Sequence, residues 1–460
     1  MALACSAVEN HPRTAAPVVP SSVSASATEA SRGSPAAQTA GGVDTSPSPT
    51  QERFEVVWWQ EWDNRRATFC PGLVVSLPVA PVPGPSHSGC WAASFDGRVS
   101  VGGRWLEATT GHTAALVVCE RQDGSLAWSD QWVSSADSSP GLYGLAADTK
   151  GRLLVLQDDA VPARIRVYDS RGAIERGFRY GAPTDEVKLV RSALLTRDTV
   201  LLSVDDQLIS LEQGQEAWRA ELSGALGGAR VKLASDGSSY AVYATRDAPE
   251  YPTVISKSSP SGRRLWQKTL GQVDVADVAV GQHDSLIVAG RYLRPWQFGT
   301  QRLRPRHEQA LFVAAYTADG QTCWLRTADA TDAVKPLSVA VDHHGRVSVL
   351  VWFRGELDLA PNHPEATHGG LAAIRLDQHG ATTMTHYLGA SKWGYSRLAV
   401  DSRGDLLLQL VGLDATDPLA PATRQAYEPE RPRTSPHRPT RCALARARIV
   451  VESPATHSGR

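Results

Sequence analysis

The sequence predicts an all-β fold, a seven-bladed β-propeller whose repeat pattern would also accommodate six or eight blades. Three observations predict it. A two-part unit of short apolar strands and tight turns recurs from about residue 87 onward. Trp follows a turn Gly by four residues in four places: Gly124/Trp128, Gly214/Trp218, Gly262/Trp266 and Gly320/Trp324. The 38 Gly and 29 Pro among 460 residues suit many short strands and are too many for a helical bundle.

Taken in order, residues 1–50 are rich in Ala, Ser, Thr and Pro, with few charges and no aromatic side chain. Such a segment buries too little apolar surface to offset its ordering entropy, which predicts a disordered tether. Residues 54–62, FEVVWWQEW, carry Trp58 and Trp62 four apart, as Trp128 and Trp132 are. The last unit ends on CALARARIVVE with no Trp strand after it, so 54–62 is expected to supply the outer strand of the last blade. Residues 51–452 would then form the propeller and 453–460 a disordered tail.

Within the propeller, units start near residues 87, 143, 191, 230, 275, 335 and 395. The first part of each is a strand–turn–strand, as in WAASFDGRVSVGGRW from Trp91, LAADTKGRLLVLQ from Leu145 and VAVDHHGRVSVLVWF from Val339. Asp148/Gly151, Asp342/Gly345 and Asp401/Gly404 share the spacing Asp-x-x-Gly, in which Asp caps its own turn and Gly takes a positive φ. The first hairpin of the third unit, ALLTRDTVLLSV, is degenerate. The second part is another hairpin, and its recurring Trp residues are expected to be blade-packing anchors rather than ligand platforms. Insertions at 293–309, 354–370 and 413–441 fall between the second and third strands of units five, six and seven.

The repeats resemble the bacterial β-propeller repeat family called SBBP, best over 275–328 and 335–389. The Gly-x-x-x-Trp element is also similar to the repeat of quinoprotein-type propellers and of outer-membrane assembly lipoproteins. Both resemblances imply a fold and no particular chemistry. The chain lacks the cofactor-ligand cluster of quinoprotein enzymes, so no cofactor is expected. The first residues, Ala2-Leu3-Ala4-Cys5, resemble the end of a bacterial lipoprotein signal, with Cys5 as the lipidated residue. The charged and apolar regions of such a signal are missing ahead of them, which suits a true start upstream; the alternative is a chance Cys in an Ala-rich tail.

Composition sets limits on function. Lys and Arg total 47 against 48 Asp and Glu, so the chain is not basic overall and no nucleic-acid partner is expected. Seven of the 47 cations are Lys, a skew that reads as genomic base composition. No run of about 18 apolar residues predicts a spanning helix, so membrane attachment is expected only through a lipid at Cys5. The six Cys form no Cys-x-x-Cys pair. Cys70 and Cys90 are the closest candidates for a disulfide, which would require an oxidising compartment.

No nucleophile elbow, zincin motif or phosphate-cradling Gly loop is present. Neither a catalytic residue nor a metal is assigned, although His363 and His368 share a loop with Glu356, Asp358 and Glu365. The insertion 293–309 does stand out: Arg294, Arg302, Arg304 and Arg306 lie beside Trp296 and Phe298, a composition typical of binding hot spots. The bland alternative is a solvated loop whose Arg content follows the genome. The expected function is a non-catalytic, extracytoplasmic binding or scaffolding module of the bacterial cell envelope, monomeric, with a protein or glycan partner. The alternative is a propeller enzyme with a central-pocket site, a quinoprotein-like oxidoreductase or a polysaccharide lyase or hydrolase. Charged side chains converging from several blades would favour the enzyme.

Overall fold

The computed structural model describes residues 51–63, 72–75, 87–96, 98–101, 104–107, 113–121, 125–133, 141–148, 151–158, 163–180, 190–195, 199–226, 228–246, 251–358, 365–390, 396–400, 404–413 and 441–452. These residues form seven four-stranded antiparallel sheets and two small two-stranded hairpins. Blade 1 runs Gly72–Val75, His87–Asp96, Thr113–Arg121 and Leu126–Val133, and blade 2 runs Gly141–Ala147, Leu153–Asp158, Ala163–Tyr168 and Ile174–Tyr180. Blade 3 comprises Val190–Leu195, Thr199–Val204, Gln207–Glu212 and Gln215–Glu221. Blade 4 comprises Arg230–Leu233, Ser239–Ala244, Thr253–Ser258 and Arg264–Gly271. Blade 5 is Asp274–Val280, Leu286–Tyr292, Ala310–Tyr316 and Thr322–Asp329, and blade 6 is Ala333–Val341, Val347–Glu356, Glu365–Leu376 and Thr382–Ala390.

Blade 7 takes its first three strands, Arg397–Val400, Leu406–Leu413 and Arg441–Glu452, from one end of the sequence and its fourth, Gln51–Asp63, from the other. The closing strand pairs along its length, from Gln51 opposite Glu452 to Asp63 opposite Arg441. The first strand of every blade touches the first strands of both neighbours, including blade 7 with blade 1, so the ring is closed.

Two expectations are corrected. Arg98–Val101 is not a strand of blade 1. It pairs with Arg104–Glu107 in a separate hairpin, because His87–Asp96 already has Gly72–Val75 on one edge and Thr113–Arg121 on the other. The third unit's degenerate hairpin forms in full, Val190–Leu195 against Thr199–Val204. Alternating apolar residues from adjoining blades make the core. The largest cluster joins blade 5 (Ile287, Leu311, Val313) to blade 6 (Val347, Val349, Phe353, Ile374).

The repeat motifs have a physical role. Asp342 accepts the amides of His344 and Arg346 at 2.8 and 2.9 Å, and Asp377 accepts those of His379 and Ala381, each at 2.8 Å. The carboxylate thereby satisfies turn donors that no strand can reach. The turn Gly between the third and fourth strands supports an aromatic ring of the preceding blade, an indole at Gly172, Gly262, Gly320 and Gly380 and Phe178 at Gly214. Trp218 of blade 3 donates its Nε1 proton to Pro260 O of blade 4 at 2.9 Å, and a Cβ on Gly262 would lie 2.6 Å from its ring. Trp266 repeats the contact on Ala318 O and Gly320 at 3.0 Å, and Trp324 on Gln378 O and Gly380 at 2.9 Å. The Gly-x-x-x-Trp spacing thus reads across blades: Gly accepts the aromatic ring of the blade before and Trp lies under the turn of the blade after.

Candidate functional site

Antiparallel order puts the first–second and third–fourth turns of every blade on one face. The second–third connections and the blade-to-blade connections emerge on the other, so the insertions of blades 5 and 6 share a face.

The insertion of blade 5 is itself folded. Trp296–Phe298 pairs with Gln301–Leu303 as a two-stranded hairpin, with Trp296 opposite Leu303 and Gln297 opposite Arg302. Alternation gives the hairpin two unlike faces. Trp296 is 3% exposed and donates its indole proton to Leu270 O of blade 4. Its ring packs against Tyr292, Phe298 and Phe312, with centroids 5.6, 5.0 and 4.7 Å away. Phe298 and Leu303 are half-buried against the same core. Gln297, Arg302 and Arg304 point to solvent, as does Arg294 ahead of the hairpin.

The six residues singled out in the sequence therefore divide into three groups. Trp296, buried, and Phe298, half-buried, pin the hairpin to the blade. Arg306, though 72% exposed, bridges two blades: its amide donates to Asp329 Oδ1 at 2.9 Å and its guanidinium pairs with Asp358 of blade 6 at 3.0 Å. Arg294, Arg302 and Arg304 have no ion-pair partner among the described residues.

The insertion of blade 6 is shorter than expected. Its flanking strands run on and pair as far as Glu356 opposite Glu365, so most of 354–370 is an extended hairpin. Arg354 holds Asp332 with both arms of its guanidinium, one bond measuring 2.7 Å, and this keeps the Asp332 carboxyl below the usual carboxylate range. His363 and residues 414–440 of the blade 7 insertion lie outside the described residues. Among the described residues no group of three or more His, Cys, Asp or Glu could hold a metal ion.

Charged groups do occur on the first strands around the axis, and they hold blades together. Asp277 of blade 5 accepts Ser338 Oγ at 2.9 Å and the Val339 amide at 3.0 Å from blade 6. Arg230 of blade 4 donates to Ala276 O at 2.6 Å, and Arg397 of blade 7 to Leu337 O at 2.7 Å. Both carbonyls belong to bulged residues that the strand register skips.

Cys90 is joined to Cys119, not to Cys70. The two stand opposite each other on adjacent strands of blade 1, with Cα atoms 4.1 Å apart, so register decides the partner and sequence proximity does not. Cys5 and Cys70 lie outside the described residues, and no described cysteine is free.

Sequence reasoning also missed Leu226, Tyr251 and Leu293, which stand exposed on the same face. The available signal was weak: single apolar residues in connections, Tyr251 followed by Pro252.

No family model matches the chain, and no curated protein does. Solved propeller structures resemble it at low identity. Hydrazine synthase of Kuenenia stuttgartiensis superposes with a TM-score of 0.44 at 11% identity, over 65% of this chain and 89% of the other. The WD40 propeller domain of Doa1 gives 0.42 at 11% over 77% and 93%. A member of the DUF4221 family from Bacteroides vulgatus gives 0.39 at 8% over 88% and 100%.

Proposed function

We propose that this chain is a non-catalytic binding or scaffolding propeller of the bacterial cell envelope, which presents the cationic hairpin of blade 5 to an acidic partner. The observation that carries the reading is three exposed arginines without ion-pair partners among the described residues, Arg302 on a hairpin that Trp296 pins to the blade and Arg294 and Arg304 flanking it. A preorganised cation costs less ordering entropy on binding than one on a loose loop. Arg230, Asp277 and Arg397 on the first strands are engaged in holding blades together, which supports binding over central-channel catalysis. The Cys90–Cys119 disulfide supports an oxidising, extracytoplasmic compartment. Anchoring through a lipid on Cys5 belongs to the same proposal, and intact-mass analysis of the protein from native envelopes tests it.

The hairpin is tested by affinity capture from envelope extract with the wild type and an Arg294/Arg302/Arg304→Ala variant of equal melting temperature. The wild type should retain acidic partners that the variant loses, and that elute as salt rises past the Debye screening range. Identical capture by both proteins would remove this surface from consideration.

A further inference from the structure

Five large apolar side chains stand clearly exposed among the described residues: Ile174, Leu226, Tyr251, Leu265 and Leu293. Single exposed apolar residues need no explanation, but clustering does. Three of the five, Leu226 (49%), Tyr251 (53%) and Leu293 (54%), come from connections on the insertion face: the one from blade 3 to blade 4 and the second–third connections of blades 4 and 5.

Backbone contacts and packing place the segments that carry them beside one another. The Leu226 amide donates to Ala244 O at 2.7 Å, and the next residue, Thr245, donates its amide to Pro252 O at 2.9 Å, beside Tyr251. Thr253 stands opposite Gly271 in the register, and Gly271 abuts the Trp296 ring, which packs on Tyr292 next to Leu293. Tyr251 is held at a φ of 46°, a conformation that a bulky L-residue adopts only when its surroundings impose it. The same connections carry exposed Arg246, Arg294, Arg302 and Arg304, none with an ion-pair partner among the described residues. In the sequence Arg246 is followed by Asp247 and Glu250, whereas Arg294, Arg302, Arg304 and Arg306 have one acidic neighbour, Glu308.

We infer that this surface at the junction of blades 4 and 5 takes a polypeptide whose contacting segment is both acidic and apolar. The inference rests on the cationic-hairpin reading and extends it to a partner class. Charge complementarity selects an acidic occupant. The apolar groups separate a polypeptide from an acidic polysaccharide. A sugar ring can stack its C–H face on Tyr251, but its hydroxyl-studded rings bring little apolar area to Leu226 and Leu293, whose burial is served by apolar side chains from the partner. Tyr and Arg around an apolar centre also match the composition of protein-binding hot spots.

The test is selection of a random twelve-residue peptide display library on the immobilised full chain, with polygalacturonate as a competing acidic polysaccharide. Enriched peptides should combine Asp and Glu with Leu, Ile or Phe. Their affinity should fall about fivefold or more in Tyr251→Ser and in Leu293→Ser, at any salt concentration. In Arg302→Gln/Arg304→Gln it should fall in a salt-sensitive way. All of these positions are exposed, so unchanged melting temperatures establish that the variants are folded.

Enriched peptides that bind the Tyr251 and Leu293 variants like the wild type would overturn the inference, and so would a selection without acidic apolar peptides. Polygalacturonate bound more tightly than any peptide, with dependence on the arginines alone, would overturn the polypeptide partner while leaving the cationic hairpin standing. Binding of both probes without arginine dependence would overturn the hairpin reading itself.

Discussion

Asp342 shows how much one side chain can hold together at a blade junction. Its carboxylate accepts the Arg346 amide, pairs with the Arg346 guanidinium at 2.7 Å and with Arg375 at 2.6 Å, and Arg375 is only 1% exposed. Burial pushes the Asp342 carboxyl up, but the Arg346 bonds and the charges of Arg346 and Arg375 outweigh it and hold the group below the usual carboxylate range. A folded-state carboxyl with a depressed pKa contributes stability that is complete above its unfolded value and lost as pH falls through the folded one. Asp342→Asn should therefore cost about 3–5 kcal/mol at neutral pH, because Arg375 loses the carboxylate that offsets its burial. Measured against urea, the gap from wild type should narrow as pH drops below about 4, the unfolded carboxylate range. A gap that stayed constant down to pH 2 would show that the charge is not the cause. At Gly262 the constraint is steric: φ is +81° and the Trp218 ring occupies the place of a Cβ. Gly262→Ala should lower stability by about 2 kcal/mol or more from backbone strain and a displaced indole together. Quenching of the indole fluorescence would report the displacement. Both residues were legible in the sequence as turn chemistry. That Asp342 also reaches Arg375, 33 positions away, was not, because no local pattern encodes a contact between distant strands.

At the scale of elements, the blade 5 hairpin shows where sequence reading succeeds and where it stops. Composition marked 293–309 as unusual, and the structure places an ordered hairpin there. Composition could not tell that Trp296 and the arginines face opposite ways, since that depends on a period-two alternation over three-residue strands, too short to read. Trp296→Ala should cost about 3 kcal/mol, at the low end for a buried aromatic because the hairpin sits at the rim of the core. Hydrogen exchange should accelerate over 296–303 and at the end of blade 4 near Leu270, with little change in blades 1 and 2. A uniform loss of protection across all blades would instead make Trp296 a determinant of the whole fold. The blade 6 insertion teaches the complementary lesson. Polar residues such as Arg354 and Glu356 read as loop, yet the strands continue through them because the paired backbone satisfies itself while the side chains reach solvent.

For the whole molecule, the repeat count and the Trp pair near the start made the closure legible: seven units with a missing outer strand at one end and an orphan strand at the other. What the sequence did not reveal was the first strand of blade 1, Gly72–Val75, a four-residue stretch without a partner motif. The closing strand matters because of what it covers. Without Gln51–Asp63, the long third strand Arg441–Glu452 becomes an edge presenting unpaired backbone donors and acceptors over its length. The contacts of Gly72–Val75 with the first two strands of blade 7, and of Gly89 with Leu407, would remain, but they are a small interface for holding a ring shut. Removing residues 1–50 should leave the melting temperature within about 2 °C, whereas removing 1–63 should lower it by about 5 °C or more, at about 1 °C per kcal/mol for a domain of about 400 residues. The shorter protein should also self-associate at micromolar concentration through the uncovered edge, visible by light scattering and relieved by adding a synthetic 51–63 peptide. If both truncations melt together and stay monomeric, the ring is held by its inner strands alone, and the pairing of the two chain ends contributes no stability.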